Sequence, residues 1–291
     1  GDIVATPVDS TDNSDPCNVV VTRTWTFTDT CNNTSSVSQI ITVSDTTAPT
    51  ITTVGADQTV LCDGLGNTQE YQDWLNLHAG ANAVDNCSTV NWTYEILSST
   101  DQCGATSRTL VRFIATDACN NSSTTTALFT ILDLIPPTID VQAEDLTVEC
   151  DGTGNLNDLN NWLNNNGGAS ASDVCGNVTW SNNFTGLSDD CGQTGSATVI
   201  FTATDDCDNA VTTTATFTIE DTIAPIAPAA PADVTVECLT DIPAPIDLTA
   251  TDNCAGDVVE TPVDSTDSSD PCNIVVTRTW TFTDSCNNTS S

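Results

Sequence analysis

The sequence predicts an all-β chain built from tandem sandwich modules, and three observations carry that expectation. Residues alternate with the period of half-covered strands, one strand–turn–strand segment recurs along the chain, and the cysteines stand in sets of four. In the stretch from Val19 to Pro49, Val21, Arg23, Trp25 and Phe27 alternate with Thr22, Thr24, Thr26 and Thr28, which gives a strand one buried and one wet face. Asp29 to Asn33 breaks the run with turn formers, Gln39 to Val43 resumes β-type residues, and Pro49 closes the unit because it has no N–H to give a ladder. The pattern returns in 108–137, in 197–225 and again from Ile274.

Residues 1–36 and 256–291 agree at 31 of 36 positions, differing at 3/258, 5/260, 13/268, 19/274 and 30/285, so the long period is 255 residues. The chain is expected to be a window on a longer repetitive protein. Its expected modules are 1–45 (the C-terminal part of a type A module), 46–133 (module B), 134–221 (module C) and 222–291 (a second type A module, truncated). B and C have 88 residues each, small enough that one hydrophobic core is marginal unaided. Both carry an insert between their first two cysteines. There Tyr71, Trp74, Leu75 and His78, and in the next copy Leu156, Leu159, Trp162 and Leu163, recur at helical spacing before Gly80 and Gly167. That predicts a short helix plugging the sandwich with its Trp.

The fourteen cysteines include no C-x-x-C pair and the chain has one His, so disulfides fit far better than zinc. That places the protein outside the cytosol. Strand directions put the first and third cysteines of a module at its bottom and the second and fourth at its top. Pairing by height within a module gives Cys62–Cys103, Cys87–Cys119, Cys150–Cys191, Cys175–Cys207, Cys238–Cys272 and Cys254–Cys286; sequential pairing is the alternative.

Forty acidic residues face four Arg and no Lys, a formal charge of −36. Such a surface repels phosphate backbones and anionic lipid, so neither nucleic acid nor direct membrane insertion is expected. The acids recur at three places: the linker Asp (Asp45, Asp133, Asp221), the Asp before the second cysteine (Asp85, Asp173, Asp252) and the Asp before the fourth (Asp117, Asp205, Asp284). Asn121, Asn209 and Asn288 follow nearby. The linker leaves one module's bottom close to the next module's top, so these oxygens are expected to converge on one Ca²⁺ per junction. The competing reading is that turns favour Asp and Asn and solvent accepts them. A second cluster, Asp9, Asp12 and Asp15 with its copy Asp264, Asp267 and Asp270, reads as a solvated loop before it reads as an ion site. Catalysis is not expected: His78 is replaced by Asn166 in the next repeat, no Lys is available, and no carboxylate pair is singled out from the many.

The combination V-x-V-x-C, A-T-D-N-C, R-T-W-T-x-T-D-x-C-N-N and D-T-T-A-P, fullest in 234–291 and 23–49, resembles the HYR-like, immunoglobulin-like repeats of very large secreted surface proteins of gliding and biofilm-forming Bacteroidota, the SprB-type adhesins among them. The resemblance implies immunoglobulin-like sandwiches in a surface-attached extracellular filament, exported by the type IX route, whose partners are further copies of its own repeat and a surface or polysaccharide ligand. Short Asp-Ser/Thr-x tripeptides place candidate O-glycosylation at Ser10, Thr46, Thr222 and Ser265, as is similar to Bacteroidota sequons. The alternative function is a spacer or carbohydrate-binding module of a large secreted enzyme.

Overall fold

A computed structural model describes residues 2–291. The chain is nearly all β, with immunoglobulin-like β-sandwich modules and two short helices. It divides into two compact units, one of residues 1–134 with 174–176 and one of 135–173 with 177–291. Among the described residues no helix is long and apolar enough to cross a membrane.

In the first unit, β1 (Val8–Asp12), β2 (Asn18–Thr28) and β3 (Thr34–Ser44) form an antiparallel sheet. A sandwich follows. β4 (Thr50–Thr53) pairs with β6 (Asn82–Val84), and β5 (Gln58–Leu61), β7 (Asn91–Asp101), β8 (Ser107–Thr116) and β9 (Ser122–Leu132) form a sheet in the order β5-β9-β8-β7. β5 runs parallel to the end of β9, from Gln58 opposite Phe129 to Leu61 opposite Leu132. That register sets Cys62 against the start of the linker, its N–H donating to the Leu132 carbonyl at 2.8 Å. The predicted insert helix is α1 (Thr68–Asn76). Its entry is held by Asn67, buried and left-handed, whose amide donates to the Leu61 carbonyl while Asp63 accepts its backbone N–H.

The second unit repeats this set 88 residues on. β10 (Thr138–Val141) pairs with β12 (Ser170–Ser172), and β11 (Leu146–Glu149), β13 (Val178–Asn182), β14 (Gly195–Asp205) and β15 (Ala210–Glu220) form a sheet in the order β11-β15-β14-β13, with α2 at Leu156–Asn164. It continues in three two-stranded ribbons: β16 (Leu248–Thr251) with β17 (Asp257–Glu260), β18 (Val263–Asp267) with β19 (Val275–Thr279), and β20 (Phe282–Thr283) with β21 (Thr289–Ser290).

The cores follow the alternation. Val111, Phe113, Ala127, Phe129 and Ile131 pack on Trp74 and Leu75 of α1, and Val199, Phe201, Ala215, Phe217 and Ile219 pack on Leu159 and Trp162 of α2. Each helix Trp meets a strand Phe edge-on, Trp74 with Phe113 at 5.4 Å and Trp162 with Phe201 at 5.2 Å. The indole N–H, which is costly to bury alone, donates to a loop carbonyl, Ala56 or Glu144. The type A segment has no insert helix. There Trp280, from the strand position that Phe201 holds one module earlier, fills the space itself and donates to the Ile246 carbonyl at 2.9 Å. Trp25 is half-buried, and Trp92 and Trp180 pack partly buried against the two cores.

The disulfides do not run within modules. The bonds are Cys17–Cys119, Cys62–Cys175, Cys150–Cys254 and Cys191–Cys286; Cys103 and Cys207 are disulfide-bonded as well. None of the expected pairs Cys62–Cys103, Cys87–Cys119, Cys150–Cys191, Cys175–Cys207, Cys238–Cys272 and Cys254–Cys286 forms, since Cys62, Cys119, Cys150, Cys175, Cys254 and Cys286 are bonded elsewhere and Cys31, Cys87, Cys238 and Cys272 are unpaired. The reason is geometric. Cys150 donates its N–H to the Glu220 carbonyl at 2.8 Å, beside the linker that leaves the module, so its nearest partner is the cysteine loop that follows the linker. The first cysteine of one module therefore meets the second of the next, and the third meets the fourth.

Glycines make room for this approach. Gly64 and Gly152 have φ of +74° and +72°, and a Cβ would collide with the carbonyl of Val174 at the first and of Asn253 at the second.

Replacing Phe201, fully buried, by Ala is expected to cost about 3–5 kcal/mol by denaturant unfolding, whereas Ile200→Ala, 41% exposed on the same strand, changes stability by less than ~0.5 kcal/mol. Equal losses would contradict the assigned faces of β14.

Candidate metal centre

Two of the three expected acidic sets assemble inside a unit. Asp45, Asp85 and Asp117 lie in the first, and Asp221, Asp252 and Asp284 in the second; in each trio one carboxylate oxygen from every member lies within 4.8 Å of the others. The members come from the linker after β3 or β15, the loop before the second cysteine, and the turn after β8 or its type A counterpart.

The linker Asp and the Asp before the second cysteine each use one oxygen to fix their own turn and leave the other for the centre, while Asp117 and Asp284 have both oxygens hydrogen-bonded. Asp252 Oδ1 accepts the N–H groups of Cys254 at 2.8 Å and Ala255 at 2.6 Å, and Asp85 Oδ1 accepts those of Cys87 and Ser88. Asp45 Oδ1 accepts Thr47 N–H and Asp221 Oδ1 that of Ile223. The second oxygens, Oδ2 of Asp45, Asp85, Asp221 and Asp252, are buried with no hydrogen-bond partner. Leaving one such oxygen bare is costly; two beside each other at each centre call for a positive charge. Among the described residues the ion pairs Arg23–Asp9, Arg112–Glu95 and Arg278–Asp264 all lie outside the trios.

The asparagines use their amide nitrogens to join the turn acid to the linker. Asn121 donates its amide to Asp117 Oδ2 at 2.8 Å and to the Asp45 carbonyl at 3.3 Å, and Asn288 donates to Asp284 Oδ2 at 2.9 Å and to the Asp221 carbonyl at 3.0 Å. They tie the turn acid to the linker. Ser123 and Ser290 add hydroxyl bonds to the carbonyls of Pro49 and Pro225. The middle set is divided between the units: Asp133 lies in the first, and Asp173, Asp205 and Asn209 lie in the second. There Asn209 donates to Asp205 Oδ2 at 2.9 Å, the same local turn.

Burial first, then the negative charges of Asp252, Asp284 and Glu149, push the Asp221 carboxyl above its ordinary value, against a lowering bond from Ile223 N–H. Burial also raises Asp117, but bonds from Asn121 and the Cys119 N–H outweigh it and hold that carboxyl low. Cys87 is raised by burial and by Asp45, Asp85 and Asp117 beside it. Glu149, which accepts Thr222 N–H and hydroxyl, was not legible as part of the site: the preceding repeat has Leu61 there.

In the second acidic cluster the carboxylates are engaged by arginine and by their own turns. Arg23 binds Asp9 with two nitrogens at 2.8 and 2.9 Å, and Arg278 binds Asp264 likewise. Asp12, Asp15, Asp267 and Asp270 each cap a turn two residues on. Ser10, Thr46, Thr222 and Ser265 are exposed, with the Thr222 hydroxyl bonded to Glu149.

With this geometry in place, the chain can be set beside known proteins. The model of the HYR-like domain with 4 cysteines matches residues 1–43 and 226–291, the two type A segments. No curated protein matches. Among solved structures, the chain is similar to Drosophila N-cadherin EC1-4 (10% identity over 70% of this chain and 58% of that one, TM-score 0.28), mouse clustered PcdhgC3 EC1-3 (13%, 73% and 80%, 0.27) and the human Desmocollin-1 ectodomain (10%, 96% and 64%, 0.20). The chain thus spans less than two thirds of the Drosophila and human structures.

The raised Asp221 sets a sign for pH. Without metal, its contribution to stability is present below the ordinary value of 3.8 and is lost as pH rises through its higher folded value. A divalent cation binds the ionised form, so its stabilisation appears only above that value. A cation at a hundred times its Kd adds about 2.7 kcal/mol per site. The rise in Tm on adding Ca²⁺ is expected to be large at neutral pH, to vanish as pH falls toward 3.8, and to shrink in Asp221→Asn. A rise independent of pH, or unchanged in that variant, would contradict the site.

Proposed function

We propose that this chain is a non-enzymatic segment of an extracellular adhesive stalk, in which successive modules are clamped to one another by disulfides and by Ca²⁺ at each junction. The observation that carries this reading is the direction of the disulfides: they join consecutive modules. A bond inside a module protects that module; a bond to the next one carries load past the linker.

The covalent geometry gives the load path a length. Cys17 is bonded to Cys119, 31 residues lead from Cys119 to Cys150, Cys150 is bonded to Cys254, and 32 residues lead from Cys254 to Cys286. Tension between Cys17 and Cys286 therefore runs through at most 63 residues, although 269 separate them in sequence. Such a chain stays short even when its sandwiches unfold, which suits a surface fibre under shear and gives no advantage to a soluble catalyst.

Calcium fits the second half of the clamp. The trios offer hard carboxylate oxygens with some left unpaired, and Ca²⁺ takes six to eight oxygen ligands, with carbonyls and water completing the set. Asp45, Asp85 and Asp117 would hold one ion and Asp221, Asp252 and Asp284 another. Oxidised cysteines place the working compartment outside the cytosol. The HYR-like match in the type A segments supports the narrower reading of a surface adhesin of the gliding Bacteroidota kind, secreted by the type IX route and contacting a surface or polysaccharide. The exposed Ser10, Thr46, Thr222 and Ser265 remain candidate glycosylation positions in that reading.

Single-molecule stretching tests the load path. At about 3.5 Å per extended residue, the span from Cys17 to Cys286 is expected to reach no more than about 220 Å when oxidised and about 940 Å after reduction. An extension unaffected by reductant would remove the stalk mechanism.

A further inference from the structure

Four cysteines, Cys31, Cys87, Cys238 and Cys272, are exposed and unpaired. Each has a repeat-mate in the same chain that is bonded. Cys31 corresponds to Cys286, 255 residues on, which is bonded to Cys191; Cys272 corresponds to Cys17, which is bonded to Cys119. Both pairs of mates lie in the stretches that agree at 31 of 36 positions, so the local sequence does not explain why one copy is bonded and the other is not. Cys87 corresponds to Cys175, 88 residues on, and Cys238 is the first cysteine of its module, as Cys62 and Cys150 are of theirs; Cys62–Cys175 and Cys150–Cys254 join a first cysteine to the second of the next module.

We propose that these four thiols are the linking halves of disulfides to flanking modules of the same kind. One rule covers every bond given above: first to second of the next module, third to fourth of the next. Under that rule Cys238 bonds a copy of Cys87 and Cys272 a copy of Cys119 in a following B-type module. Cys87 bonds a copy of Cys238 in a preceding type A module, and Cys31 a copy of Cys191 in a preceding type C module. The two pairs thus have complementary roles, Cys238 and Cys272 facing forward along the repeat and Cys31 and Cys87 facing back. Each link forms when two thiols lose two protons and pass two electrons to a disulfide oxidant, which is reduced to two thiols. The acids beside Cys87, Asp45, Asp85 and Asp117, bring the same junction centre to the link that Asp252 and Asp284 bring to Cys254 and Cys286.

The inference extends the stalk reading and fails separately from it. The test lengthens the full chain at Ser291 with a second copy of residues 37–133, which continues the 255-residue register, and oxidises it with glutathione disulfide. Non-reducing peptide mapping is expected to find Cys238 joined to the added copy of Cys87 and Cys272 to the added copy of Cys119, with Cys31 and the original Cys87 still open to alkylation. A Cys238–Cys272 bond, or both thiols left free beside bonded added cysteines, would overturn the proposal. The 291-residue chain under the same oxidant gives a second arm that does not depend on the added module folding. There Cys238 and Cys272 are expected to remain separately alkylated, and a bond between them would overturn the proposal too. Loss of the four internal bonds would instead strike the stalk reading.

Discussion

The constraint that the rest of each unit depends on is the disulfide that ties a cysteine beside a linker to the cysteine loop beyond it. Small sandwiches with cores of about ten residues bury too little to fix their neighbours by contact alone, and a net charge of −36 opposes close approach. The disulfides answer the first difficulty. Closing a loop of about 100 residues removes roughly 4.7 kcal/mol of unfolded-state freedom in the chain-entropy account, and the loops here close over 95 to 113 residues. In the proposed stalk the second difficulty would be met by a cation held by the unpaired Oδ2 atoms of Asp45, Asp85, Asp221 and Asp252.

The two devices share their loops. Asp117 stands two residues before Cys119, Asp252 two before Cys254, and Asp284 two before Cys286. In each the carboxylate accepts the N–H of that cysteine. The turn that aims the acid at the centre therefore also presents the sulfur to the preceding module. Oxidation holds the acids together, and neutralising the acids relieves the strain of like charges on the bond. Under the proposed function a stalk built this way would respond to redox state and to divalent ion at once.

Much of this was legible in the sequence. Alternation of Trp25 and Phe27 with Thr26 and Thr28 gave the more covered face of β2, and the spacing of Tyr71, Trp74 and Leu75 gave α1, because both depend on local periodicity. The recurring Asp in the linker and before the second and fourth cysteines marked the acids that converge in two of the sets. Disulfide partners were not legible. Heights along the strands placed Cys150 at a bottom and Cys254 at a top, but a bottom cysteine lies as near the next module's top as its own module's other bottom cysteine, and spacing within one repeat cannot distinguish the two. The role of Asn121 and Asn288 as donors to the linker carbonyl was hidden for a related reason: the amide offers both donor and acceptor, and only the position of Asp45 or Asp221 decides between them. Trp280 taking the place of a helix Trp required seeing both module types filled.

The most direct test is a non-reducing peptide map of the oxidised chain. The account predicts linked peptides joining Cys17 to Cys119, Cys62 to Cys175, Cys150 to Cys254 and Cys191 to Cys286, each crossing from one module into the next. Links confined within modules, such as Cys62 to Cys103 or Cys150 to Cys191, would contradict it.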